Sequence, residues 1–237
     1  MKNERGFTLV EILVAMGLGT LMLMAIYLAV NSAQRSSTGI ESKVVAQQDA
    51  RGALDLMAME IRMASFNPNL TPNIWVNPAT CAGAAASATY RGITAATANS
   101  ISIEMDLNEN SVIGDPNEII SYNYDVGNNY ISRETNCGGA QPFLGDTTAN
   151  QNLKTVLVVN NAAGVPLFRY YDGTYTAGGV GTEIPAGSLP GRIPDIRRIE
   201  ITLVVDTVND DPNMGGKRRI IYSTSVLPRN HIPNYSY

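Results

Sequence analysis

Glu11 is the residue best placed to carry chemistry, because it is a lone carboxylate inside an apolar run. The run from Phe7 to Val30 is about 24 residues long, enough to cross a bilayer core, which takes roughly 20. Burying a carboxylate at mid-membrane costs about 3 kcal/mol or more, so Glu11 calls for a partner or a function. Lys2, Arg5 and Gly6 precede the run as a short basic leader. A secretory signal peptide shares that outline. Here, however, the apolar run is longer than a usual signal core, no small-x-small cleavage site closes it, and the helical pattern continues through Gln34 to Met63. An ordinary signal anchor accounts for the span and the basic leader but gives no reason for Gly6 or Glu11.

The remaining candidates are few. Cys81 and Cys137 are the two cysteines. Lys2 and Arg5 hold the leader on the cytoplasmic side, which puts the C-terminal part on the opposite side of the membrane, an oxidising environment. A Cys81–Cys137 disulfide is then plausible and would contribute about 4 kcal/mol by closing a long loop; two separate thiols are the alternative, since sequence measures no distance. Asp106, Asn108 and Asn110 place oxygens at alternate positions, as at the start of a calcium loop. Ser111 replaces the turn glycine and Asn117 stands where a closing glutamate belongs, so a polar turn is the preferred reading and calcium a weak option. His231, the single histidine, is expected to be exposed in a Pro/Asn-rich tail. Arg192, Arg197, Arg198, Lys217, Arg218 and Arg219 are expected along one edge of the last hairpin, as solvated charges that resist strand addition, with binding of acidic protein partners as the first alternative and DNA as the second.

The segment Gly6-Phe7-Thr8-Leu9-Val10-Glu11, between a basic leader and an unbroken apolar helix, resembles the class III signal of type IV pilins and type II secretion pseudopilins. The resemblance implies cleavage by the prepilin peptidase after Gly6 and methylation of the new N-terminus at Phe7. It also makes Glu11 the residue that fixes register in a filament. Physics agrees with that role, because a carboxylate in lipid seeks a cation and the amine at Phe7 of a staggered neighbouring subunit is the nearest one.

These groups require a stem and a head. We expect a leader over 1–6, a transmembrane and assembly helix over 7–30, an amphipathic helix over 31–66, and a β-rich periplasmic head over 67–237. The class is α+β, a long N-terminal helix packed on an antiparallel sheet. Ala50, Leu54, Met57, Ile61 and Ala64 form an apolar stripe at helical spacing. Leu56, Met59 and Met63 lie off it, facing either other core or neighbouring subunits. Asn67-Pro68 is expected to end the helix after Ser65. A long loop should follow to Asn99, with a strand near Tyr90 at most. Strand signals then cover 100–106, 118–124, 129–133, 155–159, 167–171, 195–207 and 217–227. The clearest has Ile199, Ile201, Leu203 and Val205 on one face; Ile220, Tyr222 and Val226 answer it across a hairpin loop, Asn209 to Gly216.

The head's motifs, among them Phe168-Arg-Tyr-Tyr-Asp-Gly173, Arg197-Arg-Ile199 and Ser223-Thr-Ser-Val226, resemble PilW-like minor pilins and, more loosely, J-type minor pseudopilins. Leu28 stands where major pilins often have a kinking proline. The resemblance implies a structural subunit that primes or tips a pilus, anchored once in the inner membrane before assembly into a surface filament. Its partners would be other minor pilins, the major pilin, the peptidase, the inner-membrane assembly platform and, before assembly, lipid. A pseudopilin and a membrane-anchored adhesin or DNA-binding module are the alternatives. The formal net charge is -4, and losing Lys2, Glu4 and Arg5 with the leader takes it to -5. Nucleic acid is therefore an improbable partner. No nucleophile elbow or phosphate-binding glycine loop is present, so neither catalysis nor a cofactor is expected.

Overall fold

The computed structural model describes residues 6–85, 91–147, 154–176 and 179–231. A single helix, α1 (Leu9–Met63), dominates it; at 1.5 Å per residue it is about 80 Å long. The first half touches nothing, and every side chain from Phe7 to Val30 is exposed. The second half buries Ala46, Ala50, Ala53, Leu54, Met57, Ala58 and Ile61. Those positions recur every three or four residues, so they form one stripe, and its alanines let the helix lie close on the strands beneath.

The head contains two antiparallel sheets. In the first, β1 (Ile93–Ala96), β2 (Ser100–Glu104), β3 (Ile119–Asp125), β4 (Tyr130–Thr135) and β5 (Gln141–Leu144) follow one another as a meander. In the second, β6 (Val156–Val158) and β7 (Phe168–Tyr171) pair with opposite ends of one side of β10 (Arg198–Thr207). Strand β11 (Arg219–Val226) pairs with its other side. A small hairpin, β8 (Tyr175–Thr176) and β9 (Gly179–Val180), and a short helix, α2 (Leu189–Arg192), lie between β7 and β10. One hydrophobic core joins α1 to both sheets. Met57, Ile61, Ile101, Ile131 and Ile199 are among its fully buried members, each worth about 1.5–3 kcal/mol on burial.

The expected parity of the last hairpin holds. Ile199, Ile201, Leu203 and Val205 are all buried, opposite Val226, Thr224, Tyr222 and Ile220 in register. The 209–216 turn closes through an Asp211–Gly216 bridge. Among the stripe's neighbours, Met63 packs on the core, Leu56 is half-buried and Met59 is exposed.

Three expectations need correction. The helix stops at Met63 rather than at Asn67-Pro68, because Ser65 turns left-handed (φ 69°) and its N–H donates to the Glu104 carbonyl. The chain at Gly92 crosses directly over that point. A Cβ there would sit 2.5 Å from the Ser65 Cα, so only glycine, at φ +79°, fits. The 67–99 stretch is also more ordered than expected. A second small core of Ile74, Trp75, Ile113 and Ile119 sits under it, and its strand is β1, beyond Tyr90, which lies outside the described residues. Finally, β5 was not anticipated.

Cys81 and Cys137 form a disulfide, with Cα atoms 5.9 Å apart and a sequence separation of 56. It ties the 67–85 segment to the turn after β4. The chain-entropy gain for a loop of that size is about 4 kcal/mol.

Candidate functional site

The N-terminal segment is built around Thr8 and Glu11. Thr8 is the N-cap of α1, and its hydroxyl oxygen accepts from the Glu11 N–H at 3.2 Å. The Glu11 carboxylate in turn accepts from the Thr8 N–H at 2.8 Å and from its hydroxyl at 2.9 Å. This reciprocal capping box satisfies helix N–H groups that would otherwise be unpaired. It also satisfies the one carboxylate of the apolar run inside its own chain. The spacing Thr8-x-x-Glu11 announces such a box, and the sequence reading passed over it. Gly6 and Phe7 lie ahead of the first helical turn, with Phe7 86% exposed. The peptide bond between them is thus in accessible, non-helical backbone, as a protease needs.

Residues 1–27 match the family described as the prokaryotic N-terminal methylation motif. The motif marks a pilin- or pseudopilin-type protein. Neither the curated proteins nor the solved structures gave a match. A signal of this class implies processing by prepilin peptidase and assembly with other pilins. The match and the exposed apolar helix agree with membrane anchoring.

The head holds its polar groups in structural roles. Asp106 is buried and accepts from the N–H groups of Asn110 (3.1 Å) and Ser111 (2.9 Å). The side-chain amides of Asn108 and Asn110 both donate to Asp115, and Glu118 accepts from the N–H groups of Leu107, Gly114 and Asp115. Residues 106–118 thus make a polar turn in which Asp106, Asp115 and Glu118 are occupied by backbone and amide donors.

His231 is not exposed, as the sequence suggested, but 2% accessible. Its Nε2 lies 2.9 Å from the Ile193 carbonyl and its Nδ1 2.9 Å from the Ser65 hydroxyl. Burial pushes its pKa down, and the nearby Arg197 and Arg91 guanidiniums add to the effect. The Ser–His contact resembles a nucleophile–base pair, yet both residues are buried, so it ties the C-terminal segment to the end of α1.

The basic residues are spread out rather than lined along one edge. Arg192 bridges Asp172 and Asp195, and Arg197 donates to the Pro194 and His231 carbonyls. Arg198 lies 3.6 Å over the Tyr171 ring, Arg218 pairs with Asp211, and Arg219 pairs with Asp206. These side chains thus lie against separate carboxylates, carbonyls and one ring, on α2, on the strands and in the segments flanking them, instead of forming a single solvated edge.

Two buried acids escaped the sequence reading. Glu60, on the helix face that meets the sheet, forms an ion pair with Arg133 at 2.7 Å and accepts from the Tyr122 hydroxyl. Glu104 is fully buried, its Oε2 accepting from the Val76 N–H at 2.9 Å while its Oε1 finds no hydrogen-bond partner among the described residues. Burial raises the Glu104 pKa to about 8 from an ordinary 4.5. Between those values the folded protein holds a proton that the unfolded chain releases, so rising pH costs stability by up to about 1.4 kcal/mol per unit. Glu104→Gln should remove that loss. Urea midpoints taken at pH 5 and pH 8 should converge in the variant while the native protein weakens at pH 8; equal pH dependence in both would refute the assignment.

Proposed function

We propose that this chain is a minor type IV pilin, a non-enzymatic structural subunit that helps to prime pilus assembly or sits near the tip. The methylation motif directly ahead of an exposed apolar helix carries the reading. In this account the peptidase removes Met1 to Gly6, Phe7 becomes the methylated N-terminus, and residues 7–30 first span the inner membrane and then pack in the filament core. Residues 31–66 join that helix to the periplasmic head, which docks on the heads of other minor pilins. Glu11 exchanges its Thr8 contacts for the amine of a neighbouring subunit. A type II secretion pseudopilin shares the motif and the stem.

Two features favour a scarce subunit. Leu28 leaves the helix without a proline kink, and a head with long loops is awkward to repeat in a densely packed array. Deleting the gene should sharply reduce piliation, while quantitative mass spectrometry of sheared pili should find the protein well below the major subunit. Its recovery as the dominant filament protein would refute the minor role.

A further inference from the structure

The last strand of the head ends its sheet with an open edge. The Thr207 N–H donates to the Arg218 carbonyl, and the register stays unbroken from Asp206↔Arg219 to Ile199↔Val226. Alternation along an antiparallel ladder therefore points the backbone groups of Ile220, Tyr222, Thr224 and Val226 at β10. Those of Arg219, Ile221, Ser223 and Ser225 point outward, and no described residue meets them. All four residues are exposed.

The other edges are closed or broken. The outer side of β7 is covered by the 181–184 segment through Tyr170, Asp172 and Glu183. Strands β1 and β5, the edges of the first sheet, are four residues long and each has a break in register, β5 also containing Pro142, while β6 is three residues long. Strand β11 has eight residues and no proline, and its one charged side chain, Arg219, is held by two hydrogen bonds to Asp206. Proteins normally blunt such an edge, and this one is left ready to pair.

We propose that β11 is a docking edge that receives an extended, carboxylate-bearing segment from the head of a different pilin-type subunit, which rests on the filament-subunit reading above. Backbone pairing at 219–225 supplies the affinity, as in strand addition generally. The carboxylate is set by Arg51, whose guanidinium lies 5.5 Å from the Tyr222 ring centroid in a groove lined also by Val44, Gln47 and Gln48. A second copy fits poorly. Antiparallel pairing of two β11 strands about a two-fold axis normal to the sheet would also reverse α1, which packs on that sheet, and point the two apolar stems in opposite directions.

The test uses the full chain in its own cells, with a photo-crosslinking residue at Ile221 and peptide mapping of adducts from the filament fraction. Adducts should map to an extended, Asp- or Glu-containing segment of another pilin-type subunit. Ser223→Pro removes one outward N–H without touching the β10 ladder; it should cut the adduct about tenfold or more while the melting temperature stays within a few degrees. Arg51→Glu, which alters no ladder bond, should lower the yield in the same way and serves if the proline variant misfolds. Adducts confined to a second copy, no adduct from a chain present in filaments, or unchanged yields in the variants would overturn the docking edge alone. Absence of the chain from filaments would overturn the filament reading and this inference with it.

Discussion

Arg133→Ala is expected to destabilise the head by about 3–5 kcal/mol, because it strands the buried Glu60 carboxylate without its cation. For a domain of this size that lowers the melting temperature by on the order of 10 °C. Glu60 has few alternatives. Its oxygens lie at 2.7 and 3.2 Å from the Arg133 guanidinium, and the only other donor among the described residues is the Tyr122 hydroxyl, itself kept protonated by burial and by the same carboxylate. The double variant Glu60→Met/Arg133→Met should be less damaging than Arg133→Ala alone, since it removes both charges and refills the space. Thermal melts of the three proteins decide the matter. A double variant at least as unstable as the single one would mean that the pair is a net stabiliser and that stranded charge is not the cause.

Glu11→Ala should leave the protein processed and inserted in the membrane but reduce its entry into filaments about tenfold or more. The reasoning compares two states of one carboxylate. In the isolated chain Thr8 satisfies it, whereas in the proposed filament a neighbour's amine at Phe7 would supply the opposite charge. Glu11→Gln separates the two roles, because an amide can still accept from Thr8 but carries no charge. It should fail in assembly nearly as badly as alanine. Immunoblots of membrane and sheared-filament fractions measure the ratio, and normal incorporation of both variants would show that Glu11 does not set register.

The sequence revealed those parts of the fold whose signals are local. Ile199, Ile201, Leu203 and Val205 alternate strictly, so β10 and its buried face could be read directly. The stripe from Ala50 to Ala64 gave the helix face in the same way. What failed depended on partners distant in sequence. Nothing near Glu60 foretells Arg133, 73 residues away. His231 sits in a tail of turn-forming residues, and only the folded chain brings Ile193 and Ser65 to it. Strand β5 carries Pro142 and no alternation, so its pairing with β4 leaves no trace in its own residues. The N-terminal motif was legible because it is local, its residues lying together within the matched segment 1–27, although the Thr8 cap went unread.

If the chain is a pilin-type precursor, Gly6-Phe7 is its processing site. Intact-mass measurement of the protein purified from its own membranes tests it most directly. The account predicts a chain that has lost Met1 to Gly6 and begins with a methylated Phe7. An unprocessed chain, or one cut downstream of Val30 so that the apolar helix is lost, would contradict it.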